Sequence, residues 1–164
     1  MIRVLALDPG QRVGWAKAEA HVHSGHSKSR DGWPRLIVED HGIAPLRDAA
    51  LAVHKAVVLE DRVDVVVMEK FILTARGAKF LVGDDLQTSQ FVGMVRQCCW
   101  LNPRVKLVEQ MPAAMATGRK ALRAGWPGAA DIRERLAKLP KSHDESHDGS
   151  ALLHLAAWFH RVYA

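Results

Sequence analysis

The sequence predicts an α/β domain with a mixed sheet covered by helices on both faces. Apolar strand segments crowd the first third of the chain, and helical and strand periodicities alternate after it. Two of the apolar strands also stop abruptly on an acid, at Asp8 and at Glu69. At 164 residues the chain is expected to form one domain, 1–164, with a single site assembled from its whole length.

Ile2 to Asp8 (IRVLALD) is a continuous apolar strand that the Pro9-Gly10 turn signal ends. Val13 to Lys17 is a second strand, and Arg35 to Val38 with Gly42-Ile43 a third, so a meander opens the fold. Between them, His21 to Pro34 is rich in His, Ser, Gly and Lys and is expected to be a hairpin excursion. His21, His23 and His26 match a metal-binding tract only loosely, and a solvated loop accounts for them.

Asp48 to Glu60 spaces Leu51, Val53, Ala56 and Val57 as one face of an amphipathic helix. Val63 to Met68 is rich in β-branched residues and reads as a buried strand, with Glu69 immediately after it. A loop through Gly83 precedes a long helix, Asp85 to Leu101, with Leu86, Phe91, Met94, Val95 and Cys98 on its apolar side. Pro103 ends that helix, Val105 to Glu109 is a further strand, and Ala129 to Leu139 is a basic helix stopped by Pro140. The last helix starts at Glu145 or Ser146.

The formal net charge is +5, which favours a polyanionic partner. The excess is concentrated: Leu101 to Lys141 holds nine Lys and Arg against three acids. Solvated helix faces explain part of this, and phosphate contacts are the functional alternative. Cys98 and Cys99 are adjacent within an apolar run, so they form no disulfide framework and are expected to be buried thiols in a reducing, cytoplasmic setting. No apolar run reaches the ~18 residues that span a bilayer, and the N-terminus lacks the order of a signal peptide.

Asp8 and Glu69 are each the first polar residue after an apolar strand. On neighbouring strands they would sit a few ångströms apart and repel unless a proton or cation lay between them. Mg²⁺ or Mn²⁺ suits such oxygen donors and keeps water ligands for chemistry. Taken singly, either acid could merely start a turn or cap a strand. The third element is the run from His143 to Asp148 (HDESHD), the densest group of possible ligands in the chain. Leu152, Leu155 and Phe159 follow Asp148 at four, seven and eleven residues, so a helix here puts Asp148 on the face that packs against the sheet. An acid on a buried face needs a partner, and a metal ion is the economical one.

These residues carry a resemblance. Leu7-Asp8-Pro9-Gly10-Gln11-Arg12-Val13-Gly14-Trp15 is similar to the opening of the RuvC-like Holliday junction resolvases, which belong to the RNase H-like nucleases. Val65 to Lys70 (VVVMEK) resembles that family's second acidic motif, and Asp148 with the apolar helix behind it resembles the last. Order and spacing agree across essentially the whole chain, and the compact size is closest to phage-encoded members, whose setting would be the host cytoplasm.

The resemblance implies an RNase H-like fold with a central mixed five-stranded sheet flanked by helices. It implies a four-carboxylate site for two Mg²⁺ ions, with Mn²⁺ able to substitute, that cuts a phosphodiester to leave 5′-phosphate ends. Asp8, Glu69 and Asp148 fall on matching positions. Glu145 stands where the family carries Asp or His, and Asp144 or His143 is an alternative fourth ligand. The family's DNA-wedging aromatic falls on Ile72, with Phe71 one residue earlier, and Phe71 is equally a candidate for the core.

Arg12, Arg76, Lys79, Arg119, Lys120 and Arg123 are expected to contact phosphates. Trp33 and Trp126 could stack on bases, although core anchoring is the commoner use of Trp. The implied partner is branched DNA, most simply a four-way junction, bound by a two-fold homodimer. The Asp85 to Leu101 helix, with Phe91, Met94, Val95 and Cys98 to bury, is the expected dimer surface.

Other readings are a less selective flap or fork nuclease, an RNase H-like hydrolase of RNA, an actin-like or sugar-kinase-like ATPase module, and a junction-binding protein that does not cut. The short chain and the lack of a second Gly-rich phosphate loop count against the ATPase. Carboxylates that would repel DNA if uncompensated count against a binding-only role.

Overall fold

A computed structural model describes residues 1–22, 34–71, 84–140 and 147–163. Five strands form one sheet in the order β3-β2-β1-β4-β5. They are β1 (Ile2–Asp8), β2 (Arg12–His21), β3 (Arg35–Pro45), β4 (Val65–Glu69) and β5 (Lys106–Gln110). The first three make an antiparallel meander, whereas β4 and β5 run parallel to β1. Five helices complete the described fold: α1 (Leu46–His54), α2 (Asp84–Leu101), α3 (Ala114–Arg123), α4 (Ala129–Lys138) and α5 (His147–Tyr163). A π-helical turn, Lys55–Leu59, continues α1. The mixed five-stranded sheet with helices on both faces is the expected architecture.

Alternation along the strands sorts the core into two layers. On one face Val4, Ala6, Ala16, Ala18, Ala20, Val65 and Val67 pack with Leu152, Leu155 and Phe159 of α5 and Ile132 of α4. On the other, Leu5, Leu7, Val66 and Met68 pack with Val53 of α1 and with Phe91, Val95 and Cys98 of α2. The first layer is lined by alanines, which lets α5 lie close to the sheet.

Three expectations change here. Phe91, Val95 and Cys98 are 2%, 0% and 3% exposed and belong to the protomer's own core, so they cannot form a dimer surface. Met94 packs partly against the same cluster. The third strand is continuous from Arg35 to Pro45 rather than two pieces, because a bulge admits an extra residue. Lys17 pairs with Asp40 and Ala18 with Val38, which leaves Glu39 unmatched and breaks the alternation. Helix α3 is not legible in the sequence: its buried residues are Gly118, Ala121 and Leu122, too small and too few to make an apolar stripe.

The remaining elements start within about two residues of expectation, the usual uncertainty of such boundaries, whereas β2 runs four residues past Lys17 to His21 and the first helix turns π-helical from Lys55. The excursion at 23–33 and residues 141–146, where the last helix is expected to begin, lie outside the described residues. The cysteines are buried as expected, and loss of hydration pushes the Cys99 thiol up to about 11.

A clamp joins the starts of β1 and β4. The Arg3 backbone amide, Nε and Nη2 all donate to the Asp64 carboxylate at 2.7, 3.0 and 2.8 Å, fixing the relative height of the two strands. The Arg3 guanidinium's hydrogen bonds hold the Asp64 carboxyl below its ordinary range.

Candidate active site

The three parallel strands end side by side, and each ends on a polar residue. Leu7 pairs with Met68, so the next residues, Asp8 and Glu69, emerge together at a strand spacing of about 5 Å. Glu69 pairs in turn with Gln110, the last residue of β5. In open α/β sheets the carboxyl ends of the strands are where ligand sites form.

Asp148 reaches this edge through α5. Its start lies against Gly14, the residue that pairs with Asp8 across β1 and β2. A β-carbon on Gly14 would collide with the His147 carbonyl and the Asp148 amide, so only glycine admits the helix at this depth. Asp148 is 7% exposed, and its Oδ1 accepts the Gly149 N–H at 2.8 Å. An acid in the first turn also suits the positive end of the helix.

Each acid meets a histidine. His147 Nδ1 donates to Asp8 Oδ2 at 2.7 Å, His41 Nδ1 to Asp148 Oδ2 at 3.3 Å, and His154 Nε2 to Glu69 Oε2 at 2.8 Å. An ionised carboxylate only accepts, which assigns the donor in each pair. Asp8 and Glu69 stand at the ends of β1 and β4, and Asp148 in the first turn of α5. Among the described residues, however, no three His, Cys, Asp or Glu side chains come close enough to hold one ion. The donor set itself fits a hard divalent cation: carboxylates from three separate elements, two of them 7% exposed, on one side of the sheet edge.

Other expected residues divide. Glu145, Asp144, His143, Ile72, Arg76, Lys79 and Trp33 lie outside the described residues. Arg12 is exposed at the start of β2, just past the turn that follows Asp8. Arg119, Lys120 and Arg123 are exposed on α3. Arg119 lines a groove of about 410 Å³ together with Gly149 and Ser150 of α5. Elsewhere in the basic segment, Lys138 pairs with Glu134 four residues earlier on the solvated face of α4, whereas Arg135 pairs with Asp131 and donates to the Val38 carbonyl, tying α4 to β3. Phe71 is half-buried against the core layer under α1 and α2. Trp126 is buried, with its ring centroid 4.8 Å from that of Phe159, and anchors the core rather than stacking on bases.

Sequence reasoning missed His41, His154 and Gln110. His154 is surrounded in sequence by apolar helix residues, and its partners lie 44 and 85 positions away, so no local pattern marks it.

No protein-family model matches the chain, and no curated protein does. Solved structures match along nearly its whole length. The Thermus thermophilus RuvC structure superposes with a TM-score of 0.56 at 14% identity, covering 98% of this chain and 96% of that one. The yeast mitochondrial Holliday junction resolvase Ydc2 gives 0.60 at 12% identity, over 97% of this chain and 78% of its own. The fowlpox virus Holliday junction resolvase gives 0.55 at 12% identity, with 98% of each chain covered. Identities this low speak to architecture alone. The chain therefore has the RuvC-like, RNase H-like fold of the Holliday junction resolvases.

Proposed function

We propose that this chain is a divalent-metal-dependent endonuclease that resolves four-way DNA junctions by paired, symmetric nicks. One observation supports the reading: Asp8 and Glu69 end neighbouring parallel strands, and Asp148 opens the helix that lies against the residue paired with Asp8, at the carboxyl edge of a sheet with the resolvase fold. Asp8, Glu69 and Asp148 would hold two Mg²⁺ or Mn²⁺ ions, with Glu145, Asp144 or His143 completing the set. Bound there, the ions would supply an activated water and charge stabilisation at the leaving oxygen, chemistry that would leave 5′-phosphate ends.

The chain's own residues prepare that chemistry. Gly14 lets the start of α5 sink onto the sheet, which brings Asp148 toward Asp8. His147 and His41 pair the buried Asp8 and Asp148 carboxylates and His154 the half-buried Glu69, so that like charges can be packed at one edge. Arg12, Arg119, Lys120 and Arg123 would bind phosphates around the site, with Arg76 and Lys79 adding to them. Phe71 or Ile72 would wedge between bases at the crossover. With Phe71 half in the core, Ile72 gains weight as the wedge. A two-fold homodimer would offer two such sites to a two-fold substrate, through surfaces other than the buried face of α2.

Labelled four-way junction, flap, linear duplex and RNA–DNA hybrid, each incubated with Mg²⁺, test the proposal. Junction cleavage at symmetry-related positions is expected. Preferential cutting of the linear duplex or the hybrid would replace it with a less selective nuclease, and binding without cutting with a recognition protein. Saturable ATP binding without cleavage would indicate the ATPase module.

A further inference from the structure

His154 sits in the middle of α5 with none of its surface exposed, in a run where every residue from Ala151 to Phe159 is buried. Its neighbours on the helix are aliphatic or aromatic, and packing alone would be met by a leucine of similar volume. An imidazole is costly at such a position unless both nitrogens are bonded. Both are: Nε2 lies 2.8 Å from Glu69 Oε2, and Nδ1 lies 2.7 Å from Gln110 Oε1. The ring therefore ties the last residue of β4 to the last residue of β5, which are also paired across the sheet. With Nε2–H donating to Glu69, the neutral ring's Nδ1 accepts, and the Gln110 side chain meets it by turning the NH2 end of its amide to the ring.

Glu69 needs such a tie more than Asp8 does. It has the longer arm, and its side chain is 21% exposed against 10% for Asp8. A flexible carboxylate loses rotamer freedom when it ligates, and a bond that pins one oxygen removes much of that loss beforehand. His154 engages Oε2, which leaves Oε1 for another partner.

We propose that His154, seated by Gln110, is a positioning residue that orients Glu69 for divalent metal binding. This rests on the reading of Glu69 as a metal ligand. It adds that the metal affinity of this chain depends on a buried side chain six residues beyond Asp148 on the same helix.

Mn²⁺ binding to the full chain without DNA, followed by the electron paramagnetic resonance signal of free Mn²⁺, is the test, with melting temperature measured alongside. His154→Leu should weaken Mn²⁺ binding about tenfold or more, the range seen when a hydrogen bond that orients a metal ligand is removed. His154→Gln, which keeps a donor, should restore affinity to within about threefold. Gln110→Leu, which frees the ring to turn, should weaken binding by less than His154→Leu. Wild-type affinity in folded His154→Leu and Gln110→Leu would overturn the proposal, as would equal weakening by His154→Leu and His154→Gln. If His154→Leu does not fold, His154→Gln and Gln110→Leu decide: near-wild-type affinity in the first with weakening in the second supports the proposal, and any other result overturns it. Glu69→Gln serves as the reference. Unchanged Mn²⁺ binding in that variant would instead defeat the reading of Glu69 as a ligand, a result separable from failure of the His154 bridge alone.

Discussion

His147 Nδ1 lies 2.7 Å from Asp8 Oδ2, so the first residue of the last helix is bonded to the last residue of the first strand, 139 positions away. The bond is possible because two glycines clear the ground. Gly10 and Gly14 flank the turn and the start of β2, and a β-carbon at either would run into His147. The acidic edge is thus built by backbone approach as much as by side-chain chemistry.

Removing the charge of one acid at a time should separate cutting from binding. Asp8→Asn, Glu69→Gln and Asp148→Asn are each expected to lower Mg²⁺-dependent junction cleavage by more than about a hundredfold, because a single missing carboxylate leaves the ions poorly held. Junction affinity, read by gel shift in the absence of divalent ions, should hold or rise because a negative charge has left the DNA-facing edge. Cleavage at the wild-type rate in any of the three would remove that residue from the metal set.

Gly14→Ala should be costly, because the collision is with helix backbone that cannot swing away. A destabilisation of about 1–3 kcal/mol or more is expected in urea unfolding, together with loss of cleavage. Gly93→Ala on α2 is the matched control: its β-carbon would meet nothing within 4 Å, and better helix propensity should stabilise the chain by about 0.5–1 kcal/mol.

The exposed basic residues of α3 should reveal themselves through salt. Arg119→Ala, Lys120→Ala and Arg123→Ala are each expected to lower the slope of log affinity against log salt by about 0.9 for each phosphate that is no longer neutralised. Arg133→Ala, on the exposed side of α4, provides the comparison. Identical slopes in all four variants would place the DNA elsewhere.

Asp64 gives a pH signature in stability. Its folded-state carboxyl lies below the ordinary value of 3.8, with the Arg3 side-chain bonds as the largest cause. A depressed carboxyl contributes stability above its unfolded value, and that contribution fades as pH falls through the folded one. Asp64→Asn should therefore cost about 0.5–1 kcal/mol at pH 7, a small figure because the pair is partly solvated, and the difference should shrink below about pH 4. Unfolding free energies measured across that range check the sign.

Asp8 and Glu69 were legible because each ends a run that only a buried strand explains, and Asp148 because apolar residues recur behind it at helical spacing. Helix α3 escaped notice because it packs by means of absent side chains. Gly118 lies against the Leu153 carbonyl, yet in sequence a glycine there reads as a helix breaker. His154 escaped notice because its meaning lies in two residues on other elements. The division of Phe91, Val95 and Cys98 between core and interface could not be read either, since an apolar helix face has the same sequence whether a sheet or another protomer covers it.

The central claim is that Asp8, Glu69 and Asp148 share divalent ions, and anomalous scattering from a crystal soaked in Mn²⁺ tests it most directly. Manganese peaks within coordination distance of carboxylate oxygens from all three residues are the expected result. Full-occupancy soaks with no manganese among these side chains, or with manganese only at surface carboxylates elsewhere, would contradict it.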